Sequence, residues 1–271
     1  MGWRTKTKKH IIMNIIYDWP TWVIVVSLLA LMFAANEVGY RLGRGPRADE
    51  PEGSHAVTNT LKGSIIGLVA LLLGFSYSIT SSKFNQRQRL VLDEANAIGT
   101  CYLRAGLLAE PARSHIRTVL QRYTDLRIEH FERALEPGEY QRTTKAMDTA
   151  MVELWSGVEE GVKADHELAR TSEIVPAANE VIDLSATRAW ASHNQMPASV
   201  LVLLAVCMVI SSGLVGHSSG QVGRRHLELW IGTNVLVMLV LFVVLDFDRP
   251  RRGLIQVNHA PLIELRESMR R

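Results

Sequence analysis

Four apolar stretches constrain this chain more than any other feature: Trp19 to Ala35, Gly63 to Ser81, Pro197 to Gly216 and Leu229 to Leu245. None contains Lys, Arg, Asp or Glu. A hydrocarbon core about 30 Å thick takes a helix of about 20 residues, and a charge at its centre is costly. Each stretch is long enough, or nearly so, to cross. The pattern predicts an all-α integral membrane protein with four transmembrane helices in a two-plus-two arrangement. A helical cytoplasmic domain is inserted between helices two and three. The expected divisions are a basic cytoplasmic tail over 1–18, helices one and two with an external loop over 19–82, and the helical domain over 83–196. Helices three and four follow over 197–247, and a cytoplasmic tail over 248–271.

Charge is distributed to match. Residues 83–188 hold 14 Lys+Arg against 17 Asp+Glu, a net of −3, whereas the whole chain is +3. The basic excess therefore lies in tails and loops beside the membrane, where it sets topology and meets lipid headgroups. Nucleic acid is not an expected partner. With four crossings, the N-tail, the central block and the C-tail share one side. That side carries Arg4, Lys6, Lys8, Lys9, Lys83, Arg87, Arg89, Arg188, Arg249, Arg251 and Arg252, against Arg41, Arg44, Arg47, Lys62, Arg224 and Arg225 opposite. The bias puts both termini and the central block in the cytoplasm. The first stretch reads as an uncleaved signal anchor, because Phe33-Ala34-Ala35-Asn36 lacks an A-x-A site. Gly43 to Ser54, rich in Gly, Pro and acids, reads as an external loop.

The central block is helical in pattern. No Pro or Gly separates Ser82 from Gly99, so the second membrane helix is expected to continue beyond the membrane. Val91, Ala95, Ile98, Tyr102 and Ala105 form one apolar stripe on it. Ile116, Leu120, Tyr123 and Leu126 mark a second helix, stopped at Glu136-Pro137-Gly138. Met147, Met151, Leu154, Val158 and Val162 mark a third. A fourth runs to about Asn194, kinked or interrupted at Pro176.

The second membrane stretch is unlike the others. Gly63, Gly67, Ala70, Gly74 and Ser78 share one face, where another backbone can approach closely. Ser76 to Ser82 is rich in hydroxyls. Two readings stand: a packed helix whose hydroxyls bond its own carbonyls, or a helix lining a wet path. Beyond it, Arg89 and Asp93 are spaced for an i, i+4 pair, and Glu94 follows. One helix turn supplies too few ligands for a cation. Asp246, Asp248 and Arg249, with Arg251 and Arg252, mix both charges after the fourth stretch and read as mutual ion pairs and an interfacial anchor. Asn234, the lone amide in the fourth stretch, is expected to bond between helices. Cys101 and Cys207 have no CxxC partner and read as small apolar fillers. The histidines are scattered, and no nucleophile elbow or phosphate loop occurs. No enzyme, cofactor or metal is expected.

Leu73-Gly74-Phe75-Ser76-Tyr77-Ser78, Phe84-Asn85-Gln86-Arg87, Leu92-Asp93-Glu94-Ala95-Asn96-Ala97-Ile98-Gly99-Thr100 and Tyr102-Leu103-Arg104 resemble the bacterial bestrophin-like domain family, from about Thr21 onward. So does the ending Leu245-Asp246-Phe247-Asp248-Arg249-Pro250 with Gly253. The more distant resemblance, to bestrophin chloride channels, implies a pentamer whose second membrane helix lines an anion pore in a bacterial inner membrane. Gly67, Gly74, Phe75, Ser78 and Ser82 are then pore-lining candidates. Gly63, Ala70 and Asn234 are helix-packing candidates. Arg89, Asp93, Glu94, Asn96, Arg104, Asp246, Asp248 and Arg249 are structural or ion-pair candidates. Asp246 and Asp248 alone fall short of a calcium cluster. The expected partners are the bilayer, other copies of the chain and inorganic anions. The alternative is a membrane-anchored signalling or scaffold protein acting through its cytoplasmic helices.

Overall fold

The computed structural model describes residues 19–45, 52–133, 136–164, 168–223, 227–249 and 253–271. The basic tail, residues 46–51 with Arg47, Arg224–Arg225–His226 and Arg251–Arg252 lie outside the described residues. Those described are all helix, turn or irregular chain: α1 Thr21–Gly43, α2 Glu52–Ala105, α3 Ala112–Glu132, α4 Glu139–Ala164, α5 Leu168–His193, α6 Ala198–Val222, α7 Leu227–Asp248 and α8 Ala260–Arg270. Four stretches are long and apolar enough to cross a membrane, within Thr21–Gly43, Gly63–Ala105, Thr171–Val222 and Trp230–Asp248.

The chain forms two compact units, Met1–Ser82 with Gln195–Arg249, and Lys83–Asn194 with Pro250–Arg271. Helix α2 contributes residues to both. It begins at Glu52, inside the segment expected to be loop, and runs unbroken for 54 residues.

In the first unit, α1 and α6 touch backbone to backbone. A β-carbon added to Gly39 would lie 2.0 Å from the Gly213 carbonyl oxygen, and one on Gly216 would lie 2.1 Å from that of Asn36. Gly43 and Gly220 are equally pressed, against the carbonyls of His217 and Tyr40. Small residues are what permit such approach in a bilayer, where dispersion and interhelical hydrogen bonds hold helices together. Those bonds are present: Ser212 Oγ donates to Met32 O at 2.8 Å, and Asn36 Nδ2 donates to Ser212 O at 3.2 Å. Helix α7 joins through an edge-on contact of Phe33 with Trp230, centroids 4.2 Å apart. Met32, Leu73, Leu204, Met208, Leu241 and Val244 fill the centre.

In the second unit the apolar stripes expected of α2, α3 and α4 converge, and α5 joins them. Val91, Ile98 and Ala105 of α2 pack with Ile116, Leu120 and Tyr123 of α3, Leu154 and Val158 of α4, and Ile174 and Val181 of α5. Helix α5 runs through Pro176 rather than ending there. Gly138, at φ +82°, makes the turn between α3 and α4 that an L side chain would strain. The C-terminal segment folds into the same core. Leu262 of α8 is fully buried, and Gln121 Nε2 donates to Met269 O at 3.0 Å.

Candidate functional site

Helix α2 sorts its residues sharply within the first unit. Val69, Leu73, Ser76 and Thr80 are buried, whereas Gly63, Gly67, Ala70, Gly74, Phe75 and Ser78 are exposed, as is Ser82 at the end of the stretch. The buried hydroxyls bond back along the helix: Ser76 Oγ donates to Leu72 O at 2.8 Å and Thr80 Oγ1 to Ser76 O at 2.9 Å. Ser78 and Ser82, with Phe75 at 59% exposure, face outward. A β-carbon on Gly63, Gly67 or Gly74 would meet nothing within 4 Å. The close backbone approach expected on this face is therefore absent within one chain. It occurs instead between α1 and α6, where the spacing Gly39/Gly43 and Gly216/Gly220 was the available and overlooked signal.

Beside that face lies a cavity of about 590 Å³, lined by Val69, Ala70 and Gly74 of α2, Ser212 of α6, and Trp230 and Asn234 of α7. Asn234 is buried, but its Nδ2 donates to Trp230 O of its own helix at 2.7 Å. This corrects the interhelical bond expected of it: the carbonyl one turn back is always within reach of a short side chain. The Trp230 Nε1 is buried without a hydrogen-bond partner.

Where α7 ends, its last residues tie down the starts of two other helices. Asp248 Oδ1 accepts the Met196 backbone N–H at 2.8 Å, just ahead of α6, whose N-cap Pro197 makes no side-chain cap bond. The carboxylate thus stands at the positive end of that helix. Arg249 Nη1 donates to Trp19 O, and to Thr21 Oγ1 at 3.2 Å, at the start of α1. Asp246, Asp248 and Arg249 are all buried.

The Asp93-Glu94-Ala95-Asn96 block divides between inside and outside the second unit. Glu94 is fully buried, and Oε1 accepts from Arg127 Nη2 at 2.7 Å and Nε at 3.0 Å. Arg188 and the Tyr123 hydroxyl donate to the same carboxylate. Burial alone would raise the Glu94 pKa, but the two guanidiniums hold it below the usual carboxylate range. Burial pushes the Tyr123 phenol up, so the hydroxyl remains a donor. Asp93 and Glu94 were both expected as ion-pair candidates; the partners that Glu94 takes, 33 and 94 residues away, were not legible.

Asp93 and Asn96 face an open groove with Asn179, Glu180 and Asp183. No ion pair joins Arg89 to Asp93, contrary to their spacing; both are exposed, and solvated pairs gain too little to hold two side chains together. Arg104 bonds Glu173, to its carbonyl at 3.0 Å and its carboxylate at 3.3 Å. No group of three metal-ligating side chains is found among the described residues. Cys101 is buried, its thiol pushed up to about 12 by burial.

The family model for the bestrophin-like domain matches residues 26–262. The chain belongs to the bestrophin-like domain family. A crystal structure of a bacterial bestrophin homologue from Klebsiella pneumoniae, carrying a tyrosine-to-alanine mutation, is similar to it. The TM-score is 0.61 at 13% identity, over 90% of this chain and 97% of that one. At that identity the likeness is one of fold. A comparison with curated proteins finds no match. The bestrophin-like match takes in the exposed face of α2, the Glu94 cluster, and Asp248 with Arg249.

Proposed function

We propose that the chain is one subunit of an oligomeric channel in a bacterial inner membrane, with residues 63–82 of α2 lining a path for small anions. The observation that carries this reading is the outward set of Gly67, Gly74, Phe75, Ser78 and Ser82. A face of bare backbone and hydroxyls gains little from acyl chains. It suits either the close approach of a second copy or a partly dehydrated ion. Phe75 is a fitting constriction and Ser78 a hydroxyl donor beside it. Residues 63–81 hold no fixed charge, so selectivity rests on dipoles and the apolar narrowing. Membership of the bestrophin-like family supports a channel, and the fold shared with the Klebsiella bestrophin homologue supports a ring, taken as five copies by resemblance. In this reading residues 83–196 form the cytoplasmic domain and both termini are cytoplasmic.

Reconstitution of purified oligomer into chloride-loaded vesicles tests it. Chloride efflux is expected, altered several-fold by Phe75→Ala and changed in selectivity by Ser78→Ala. A well-folded oligomer that passes no ion over a wide voltage range overturns the channel, and leaves a membrane-anchored scaffold as the better account.

A further inference from the structure

The second unit contains a cavity of about 470 Å³ that the channel reading does not use. Its inner wall is cationic. Arg87, Arg127 and Arg188 all line it, and all three are largely buried. Arg127 and Arg188 share the single carboxylate of Glu94. Two guanidiniums on one buried carboxylate leave an excess positive charge where water is scarce. Such charge is costly unless a counter-ion completes it. The carboxylates that also line the cavity, Glu132 and Asp148, are exposed.

The histidine beside Arg188 adds no charge. His259 Nδ1 lies 2.7 Å from Val257 O, which can only accept, so Nδ1 carries the proton. Its Nε2 then accepts from Arg188 Nη2 at 3.4 Å. Burial and the neighbouring arginine hold its pKa down at about 4, in keeping with a neutral ring. The same ring stacks on Phe131, centroids 3.7 Å apart, and with Leu90, Met147 and Val257 gives the cavity a flat apolar surface, beside polar side chains such as Tyr140, Thr144 and Gln256. The volume falls within the range of small-molecule sites, about 300–1,000 Å³.

We infer that this cavity binds a small organic carboxylate with a flat apolar body, its anionic end at Arg188 and Arg127 and its body along the Phe131–His259 stack. Arginine suits the planar carboxylate because its N–H groups diverge in a matching fork. The apolar wall disfavours a bare inorganic anion, which would leave that surface wet.

Equilibrium dialysis of radiolabelled benzoate against the detergent-purified full chain is the test, with benzamide as the neutral isostere. Saturable binding of benzoate is expected, with a Kd of about 1 mM or below, and none of benzamide. Arg188→Gln disturbs the Glu94 cluster and cannot be read alone. Ala189→Trp instead fills the exposed rim of the cavity and leaves the cluster's charged groups in place. It should weaken benzoate at least about tenfold with an unchanged melting temperature. No saturable binding, equal binding of benzamide, or benzoate binding indifferent to Ala189→Trp would each overturn the site. Conductance does not enter the measurement, so its failure leaves the channel reading untouched.

Discussion

Gly39 of α1 lies so near Gly213 of α6 that a β-carbon on it would stand 2.0 Å from the Gly213 carbonyl oxygen. Backbone cannot yield as a flexible side chain does, so Gly39→Ala must drive the two helices apart. Overpacking of this kind costs about 1–3 kcal/mol. Gly74→Ala adds the same methyl to open space within a helix and should leave the isolated chain as stable or raise its stability by up to about 1 kcal/mol. Thermal unfolding of the two variants in one detergent compares them directly. Equal losses would mean that the α1–α6 contact is looser than described.

Glu94→Gln keeps an acceptor at the centre of the second unit but removes its charge. Arg127 and Arg188 would then be buried together without a counter-ion. Breaking such a cluster costs about 3–5 kcal/mol, enough to lower expression as well as the melting temperature. Asp93→Asn, one residue away but exposed, should be nearly silent. A silent Glu94→Gln would show that solvent reaches the cluster.

Acid should weaken the second unit through His259. In the unfolded chain its pKa is about 6.5; in the fold it is about 4. Between those values the unfolded chain binds a proton that the folded chain does not, so stability falls as pH falls. The contribution is fully present above pH 6.5, is lost progressively down to pH 4, and does not change further below that. His259→Phe keeps a ring on Phe131 and removes the titration. Its melting temperature should decline less steeply over that window than the parent's. Parallel declines would refute the assignment.

Asp248→Ala deletes the acceptor for the Met196 N–H ahead of α6. The loss should resemble that of a helix cap, about 0.5–2 kcal/mol, and Asp248→Asn, which keeps an oxygen, should recover part of it. Denaturant titration of the three proteins gives the order. An Ala variant as stable as the parent would assign the bond no weight.

The helices were legible where periodicity and solvent agree. The apolar stretches, the stripe from Val91 to Ala105 and the stop at Gly138 follow from which residues lose by facing water. Partners were not legible where they depend on the approach of distant segments. Asn234 reads as glue between helices until its own carbonyl proves nearer. Gly39 and Gly216 look ordinary until the two helices carrying them are set side by side. The inward turn of Glu94 and the outward turn of Asp93 depend on which flank of α2 meets α3 and α5. Neighbouring residues on a helix point about 100° apart, so adjacency in sequence says little about shared surroundings.

The clasp between Arg249 and Trp19 joins residues 230 positions apart, and that has a consequence for how the protein is made. A ribosome adding about 5–20 residues per second needs roughly 10–50 s to pass from one to the other. For most of that interval, from residue 43 to residue 198, the first span is already synthesised while α6, which will cover its glycines, is not. The nascent chain must therefore shelter Asn36, Gly39 and Gly43 in lipid or in the insertion machinery. Helix α7 acts as a fastener that closes the bundle only once residue 249 has been made.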